Sequence, residues 1–122
     1  MANGRWGRVA WAWAAVLVWM AVIFMLSAQP SLPLPLPFPG FDKLAHAVTY
    51  AILALLAYRG VAGRVGQAFA ITALYGVSDE IHQIFVPGRS ADVNDWLADI
   101  AGAAIALVLV VIFTRHSANG GK

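Results

Sequence analysis

Four stretches of this chain are long and apolar enough to be membrane-crossing helices, and the connections between them differ sharply. Val9 to Ala28 (VAWAWAAVLVWMAVIFMLSA) carries no charge, and at 1.5 Å per residue about 20 helical residues cover the ~30 Å hydrocarbon core of a bilayer. A cleaved signal peptide would have a shorter apolar region and a small residue three positions before its cleavage point. Leu26 in Leu26-Ser27-Ala28 breaks that pattern, so an uncleaved first helix over 9–28 is predicted. Gln29 to Phe41 (QPSLPLPLPFPGF) alternates proline with apolar residues. Proline lacks the amide donor and resists the helix, so this stretch is predicted to be an extended, polyproline-like loop.

Lys43 to Tyr58 (KLAHAVTYAILALLAY) predicts a second helix, with Asp42 placed to cap its N-terminus. A short basic turn, Arg59 to Arg64, leads into a third helix over 65–86 that Pro87-Gly88 terminates. Ser90 to Asp95 reads as a polar connection, 96–114 as a fourth helix and 115–122 as a polar tail. The third segment is the unusual one. Its end, SDEIHQIFVPGR, sets Asp79, Glu80, His82 and Gln83 into an otherwise apolar run.

Composition points the same way as the pattern. Hydrophobic residues make up 61% and charged residues 11%, against roughly 45–50% and 25% in soluble domains. So small a soluble fold would lack the polar residues to cover its surface. The expected fold class is all-α, a polytopic four-transmembrane-helix bundle forming a single domain over residues 1–122. With no cysteine, disulfides, thiolate metal centres and cysteine nucleophiles are excluded. The net charge of +2 is dispersed, so no basic stripe suggests nucleic acid.

The charges also orient the bundle. Cytoplasmic loops are enriched in Lys and Arg. With an even helix count, cytoplasmic N- and C-termini put Arg5, Arg8, Arg59, Arg64, Arg115 and Lys122 inside. Only Lys43 and Arg89 then fall outside, which predicts a multi-pass protein of the cytoplasmic (inner) membrane with its polar residues on the outer face. Every acidic residue lies on that face: Asp42, Asp79, Glu80, Asp92, Asp95 and Asp99.

Helical spacing sharpens the clustering. Asp42, His46 and Tyr50 share a face at i, i+4, i+8; Thr72, Tyr75, Asp79 and Gln83 form a second stripe; Asp92, Asp95 and Asp99 continue the pattern into the fourth helix. Charged side chains inside a bilayer are costly, so these faces should converge. Blander roles exist for several of them. Asp42 and Asp95 can be helix caps, Lys43 can snorkel to the interface, Tyr50 and Tyr75 can be core aromatics, and Asp92 can be a solvated loop residue. Glu80, Gln83, His46 and Arg89 are harder to explain that way. Gly102 and Ala106 form a small-xxx-small pair suited to helix packing.

Asp42-Lys43-x-x-His46-x-x-x-Tyr50, Asp79-Glu80-x-x-Gln83, Pro87-Gly88-Arg89, Asp95 and Gly102, in this order and on successive helices, resemble the VanZ-like family of small bacterial membrane proteins. The resemblance covers about residues 9–114. It implies a four-helix cell-envelope protein, associated with resistance to the glycopeptide antibiotic teicoplanin. The family's polar positions fall on Asp42, Lys43, His46, Tyr50, Glu80, Gln83, Arg89 and Asp95. Asp99 departs from the pattern, standing where the family often has Asn.

These residues leave several functions open. The first is binding: Arg89 and Lys43 would hold a phosphate or carboxylate, and the partner would be a membrane lipid, a lipid-linked envelope precursor or a glycopeptide antibiotic. The site would comprise Asp42, Lys43, His46, Tyr50, Glu80, Gln83, Arg89, Asp95 and Asp99. The second is an enzyme acting on a lipid phosphoester or acyl group, with His46 and Glu80 catalytic. No ligand-spacing motif marks a metal centre, although His46, Glu80 and Asp95 would hold a divalent cation in one variant of the enzyme. Of the two carboxylates at the start of SDEIHQ, Glu80 rather than Asp79 is expected to be functional. A proton-coupled transporter is disfavoured, because the inner halves of the helices lack polar residues. A purely structural packing network is the remaining reading. The small-residue helix faces are compatible with a homodimer.

Overall fold

The computed structural model describes residues 2–30 and 37–121, and those residues form four helices and no strand. They are α1 (Ala2–Ser27), α2 (Phe41–Gly60), α3 (Val65–Ile84) and α4 (Val93–Gly120). α1 from Gly4 onward, α2 and α4 are long and apolar enough to cross a membrane. α3 has the length for it, but Asp79, Glu80, His82 and Gln83 lower its hydropathy below that of the other three. The chain is thus all-helical, with the apolar helices of a membrane protein. Residues 31–36, the heart of the predicted proline-rich extended loop, lie outside the described residues.

Several helix ends differ from the sequence pattern for local reasons. α2 begins at Phe41, after Gly40 in the left-handed region at φ 84°, where no side chain caps it. Asp42 is therefore within the first turn, where its charge favours the positive end of the helix dipole, and is not the cap. α4 begins three residues earlier than the apolar run. Asp92 is extended, at φ −134°, and its carboxylate accepts the Asn94 N–H at 2.8 Å. The cap is Asp92, and Asp95 sits within the first turn of the helix. At its other end α4 runs on to Gly120, past the apolar segment.

The side-chain distribution is inverted relative to a soluble protein. Trp11, Leu17, Leu74, Phe85, Ile105 and Phe113 are all more than 60% exposed, whereas Thr72, Asp79, Glu80, Gln83 and Asp99 are buried. Among the described residues, five of the twelve buried apolar ones are alanines: Ala54, Ala57, Ala68, Ala103 and Ala106. Lipid tails are as apolar as leucine, so burying large aliphatic groups gives little drive to associate in a bilayer. Helices instead associate through close packing and hydrogen bonds, and both are present.

α2 is the central helix and touches the other three; among the described residues α1 and α4 do not meet. α2 and α4 share the widest contact and run parallel, with Gly102 so close to α2 that a Cβ there would overlap the Ala47 carbonyl. Half-buried indoles join two of the other pairs. Trp19 Nε1 donates to Thr49 O at 3.0 Å, linking α1 to α2, and Trp96 Nε1 donates to Ala73 O at 3.0 Å, linking α4 to α3. Tyr75 Oη donates to Met20 O at 2.6 Å and links α3 to α1.

This packing separates charge along the bundle. At one end Arg5, Arg8 and Arg59 border a single depression with Tyr58 and Gly63, and Arg115 lies beside Val65 and Phe69. At the other end the close of α1 and α3 meets the start of α2 and α4, and the acidic residues are there.

Two measurements test this account. Gly102→Ala pushes a methyl into the backbone of α2, and overpacking of this kind costs about 1–3 kcal/mol or more. The thermal midpoint in detergent should fall clearly, whereas Gly120→Ala, with nothing within 4 Å of the new methyl, should leave it unchanged or slightly raised. Asp92 is held below the usual carboxylate range, first by the Asn94 N–H and then by Lys43. A depressed carboxyl contributes stability above its unfolded-state value, about 3.9, and that contribution is lost as pH falls through the lower folded-state value. Thermal midpoints measured between pH 6 and pH 3 should therefore fall less in Asp92→Asn than in the wild type, since asparagine keeps a cap but does not titrate.

Candidate functional site at the acidic end of the bundle

The parallel packing of α2 on α4 places their polar residues in matching layers. In the outer layer the Lys43 ammonium pairs with Asp95, with Asp92 at 3.1 Å and with Asp42 at 3.5 Å. Asp42 is at the rim, its side chain half exposed, and reaches the cluster only through Lys43. One turn deeper, His46 Nδ1 lies 2.8 Å from Asp99 Oδ1, and Asp99 is fully buried. The other ring nitrogen, Nε2, is 3.8 Å from Asp95 Oδ2. His46 is thus held between two carboxylates of the same helix, spaced one turn apart.

α3 supplies the third side. Glu80 Oε2 accepts the Asp92 backbone N–H at 2.8 Å, which ties the end of α3 to the cap of α4. Glu80 Oε1 and Asp99 Oδ2 are both buried with no hydrogen-bond partner among the described residues. His46, Glu80 and Asp99 each offer a ligand atom within 4.8 Å of the others. The trio that the fold assembles contains Asp99 in place of the Asp95 expected from the sequence. Asp95 faces Lys43 because it is one turn closer to the helix start.

A second group forms where α1 joins. Asp79 is buried, accepts the Ser27 hydroxyl on Oδ1 and accepts the Tyr50 hydroxyl on Oδ2 at 3.1 Å. Around it lies a cleft of about 170 Å³ that His46, Tyr50, Gln83 and Arg89 also line, with Ile23 and Leu26 as an apolar wall. Arg89 is anchored by its Nε–H on Gln29 O at 2.9 Å. Among the described residues its remaining guanidinium donors have no protein acceptor. His82 stands apart, stacked on Phe24 with ring centroids 4.2 Å apart.

The structure therefore brings together Lys43, His46, Tyr50, Glu80, Gln83, Arg89, Asp95 and Asp99, and leaves Asp42 at the edge. Asp79 and Ser27 join the site without having been expected in it. Asp79 had a visible signal, since it belongs to the polar stripe of Thr72, Tyr75 and Gln83. Ser27 had none, because one serine ending an apolar helix is unremarkable. The carboxylate that lines the cleft is Asp79, while Glu80 turns toward α4; the 100° step between neighbours on α3 separates them.

Chemically, Asp79, Glu80, Asp92, Asp95 and Asp99 confront one lysine, one arginine and one histidine. Such an arrangement favours cations in its acidic depth and admits an anion only beside Arg89. The His46–Asp99 contact is of the kind that fixes an imidazole's tautomer and orientation.

The comparisons with known proteins agree with the residue pattern. The model of the VanZ/LLP1 family matches residues 12–114. An uncharacterized protein of Schizosaccharomyces pombe is 28% identical over 106 residues, which cover 83% of this chain and 65% of the yeast protein. This chain thus spans just under two thirds of that relative's length. No solved structure matches. With a family model extending across all four helices and every residue of the acidic end, the chain belongs to the VanZ/LLP1 family.

Proposed function

We propose that this protein is a four-span membrane protein that binds the phosphate-bearing headgroup of a lipid or a lipid-linked envelope precursor. The site is the cleft between α1, α2 and α3, at the outer leaflet. The observation that carries this reading is the composition of the cleft. A guanidinium whose remaining donors have no protein acceptor among the described residues, Arg89, and an imidazole, His46, share about 170 Å³ with the apolar side chains of Ile23 and Leu26. That combination suits an amphiphile whose headgroup takes charge-assisted hydrogen bonds while its tail lies along the helix. The exposed aliphatic faces of α1 and α3 provide the lipid-side surface for that tail.

Membrane placement supports the same reading. Arg5, Arg8 and Arg59 at one end and the acids at the other fit a cytoplasmic basic end. α3 crosses as the fourth span because Thr72, Asp79, Glu80 and Gln83 are buried within the bundle. The association with teicoplanin that the family resemblance implies would then reflect occupation or shielding of a headgroup that an amphiphilic glycopeptide also uses. One geometric feature favours a second reading, hydrolysis or transfer at a lipid phosphoester. His46 lies beside the cleft and is oriented by the buried Asp99 at 2.8 Å, which suits a general base.

Lipid retention tests the headgroup. Wild-type protein exchanged into detergent with equal phosphatidylglycerol and phosphatidylcholine should retain the anionic lipid preferentially, as read by native mass spectrometry. Arg89→Ala should reduce that retention about tenfold or more, as expected for a lost hydrogen bond to a charged group. Equal retention of both lipids by the wild type would overturn the proposal. A second experiment addresses orientation. The chain has no cysteine, so Ser90→Cys should label with an impermeant maleimide in intact cells and Arg64→Cys only after permeabilisation. The reverse pattern would place the cleft at the cytoplasmic face.

A further inference from the structure

We infer that His46, Glu80 and Asp99 form a binding site for one divalent cation, buried where α2, α3 and α4 meet. The three ligand atoms lie within 4.8 Å of one another. His46 Nδ1 and Asp99 Oδ1 are 2.8 Å apart, within a few tenths of an ångström of the separation of two neighbouring ligands of one ion. With metal–ligand distances of about 2.0–2.2 Å, neighbouring ligands stand about 3–3.5 Å apart, so Glu80 has to close by about 2 Å at most. A carboxylate on a glutamate stem makes that movement by torsion alone.

The independent observation is the pair of unpartnered oxygens. Glu80 and Asp99 are 8% and 0% exposed, and each keeps one buried oxygen, Oε1 and Oδ2, without a donor among the described residues. Their other oxygens are engaged, by the Asp92 N–H and by His46. Buried polar atoms are nearly always satisfied, and a single cation would satisfy both of these. Space is kept beside the second one. A Cβ on Gly76 would stand 3.2 Å from Asp99 Oδ2 and 3.0 Å from Trp96, so only glycine leaves that oxygen clear.

The surroundings suit a ligating histidine. With Nδ1 on the ion, Nε2–H faces Asp95 Oδ2, 3.8 Å away, and Asp95 is itself held by Lys43. A carboxylate on the far nitrogen is the usual means of fixing a ligating imidazole. Binding requires Nδ1 to present its lone pair, so any proton there is released to solvent. One nitrogen and two carboxylates select a manganese, zinc or ferrous type of ion over soft copper(I); calcium, which takes six to eight oxygens, fits less well.

The test needs no lipid, so its failure would leave the headgroup proposal standing, and the converse also holds. Full-length protein purified with EDTA, then freed of chelator, is titrated with MnCl2 while free Mn²⁺ is followed by electron paramagnetic resonance. One Mn²⁺ per chain is expected. Glu80→Gln and Asp99→Asn should each weaken binding at least about tenfold, and Asp42→Asn, at the rim, should not. Mn²⁺ should also raise the thermal midpoint of the wild type reversibly with EDTA, and should not raise that of Glu80→Gln. If a variant fails to fold by circular dichroism and size exclusion, the EDTA-reversible shift of the wild type decides. A folded wild type with neither saturable Mn²⁺ binding nor a shift with Mn²⁺ or Zn²⁺ would overturn the inference. So would equal weakening by Asp42→Asn and Glu80→Gln, which would mean diffuse surface charge.

Discussion

The close approach of α2 and α4 at Ala47 and Gly102 is the constraint on which the acidic end depends. Two parallel helices that touch at a glycine are closer than helices separated by large side chains. At that separation the residues that precede the contact on both helices meet in register, Lys43 with Asp95 and His46 with Asp99. A wider interface would leave the short side chains of Asp95 and Asp99 unable to span it. The site chemistry is therefore built on a backbone contact that carries no chemistry itself. The run of small residues after Gly102, with Ala103 and Ala106 buried, holds the same spacing further along the pair.

A second constraint works in the opposite direction. Hydrophobic burial cannot hold these helices together in lipid, so the network at the acidic end contributes to cohesion as well as to binding. Asp79 joins α3 to α1 through Ser27 and to α2 through Tyr50, and Glu80 joins α3 to the cap of α4. A purely structural role does account for these contacts. It does not account for the two oxygens that make none among the described residues, or for Arg89 standing in a cleft with donors that none of those residues takes up. A network serving only as glue would be expected to satisfy its members, because partial satisfaction is worse than an apolar core.

Much of this was legible from the residues. Four helices followed from apolar runs of spanning length, and the convergence of His46, Glu80, Asp95 and Asp99 followed from the cost of facing a charge to lipid. The parts that were not legible depend on rotation and on distance in the chain. Asp92 and Asp95 both suit a cap, and only the extended backbone at Asp92 decides between them. Ser27 meets Asp79 across 52 positions, and nothing in the apolar pattern of α1 fixes which side of the helix faces inward. Arg89 turns back onto the Gln29 carbonyl, a contact with main chain that no side-chain pattern can announce. Asp42, His46 and Tyr50 share a face, yet Tyr50 is buried and Asp42 half exposed, because depth along the bundle differs where direction around the helix does not.

The identity of residue 99 connects the fold to the ion. An asparagine there, as the family resemblance would suggest, could still accept from His46 and would bring no charge into a fully buried position. An aspartate brings a second negative centre close to Glu80, in the part of the bundle where an unpaired ion costs most. Of the nearby positive groups, Lys43 is taken up by Asp42, Asp92 and Asp95 and Arg89 is anchored on Gln29, whereas His46, 2.8 Å from Asp99, brings a charge to it when protonated. The balance must come from a proton or from a cation. A proton on His46 or on one carboxyl group would balance one charge and still leave Glu80 Oε1 and Asp99 Oδ2 without a partner among the described residues. An ion between them balances both charges and supplies the electrophile that would let an anionic headgroup approach so acidic a site.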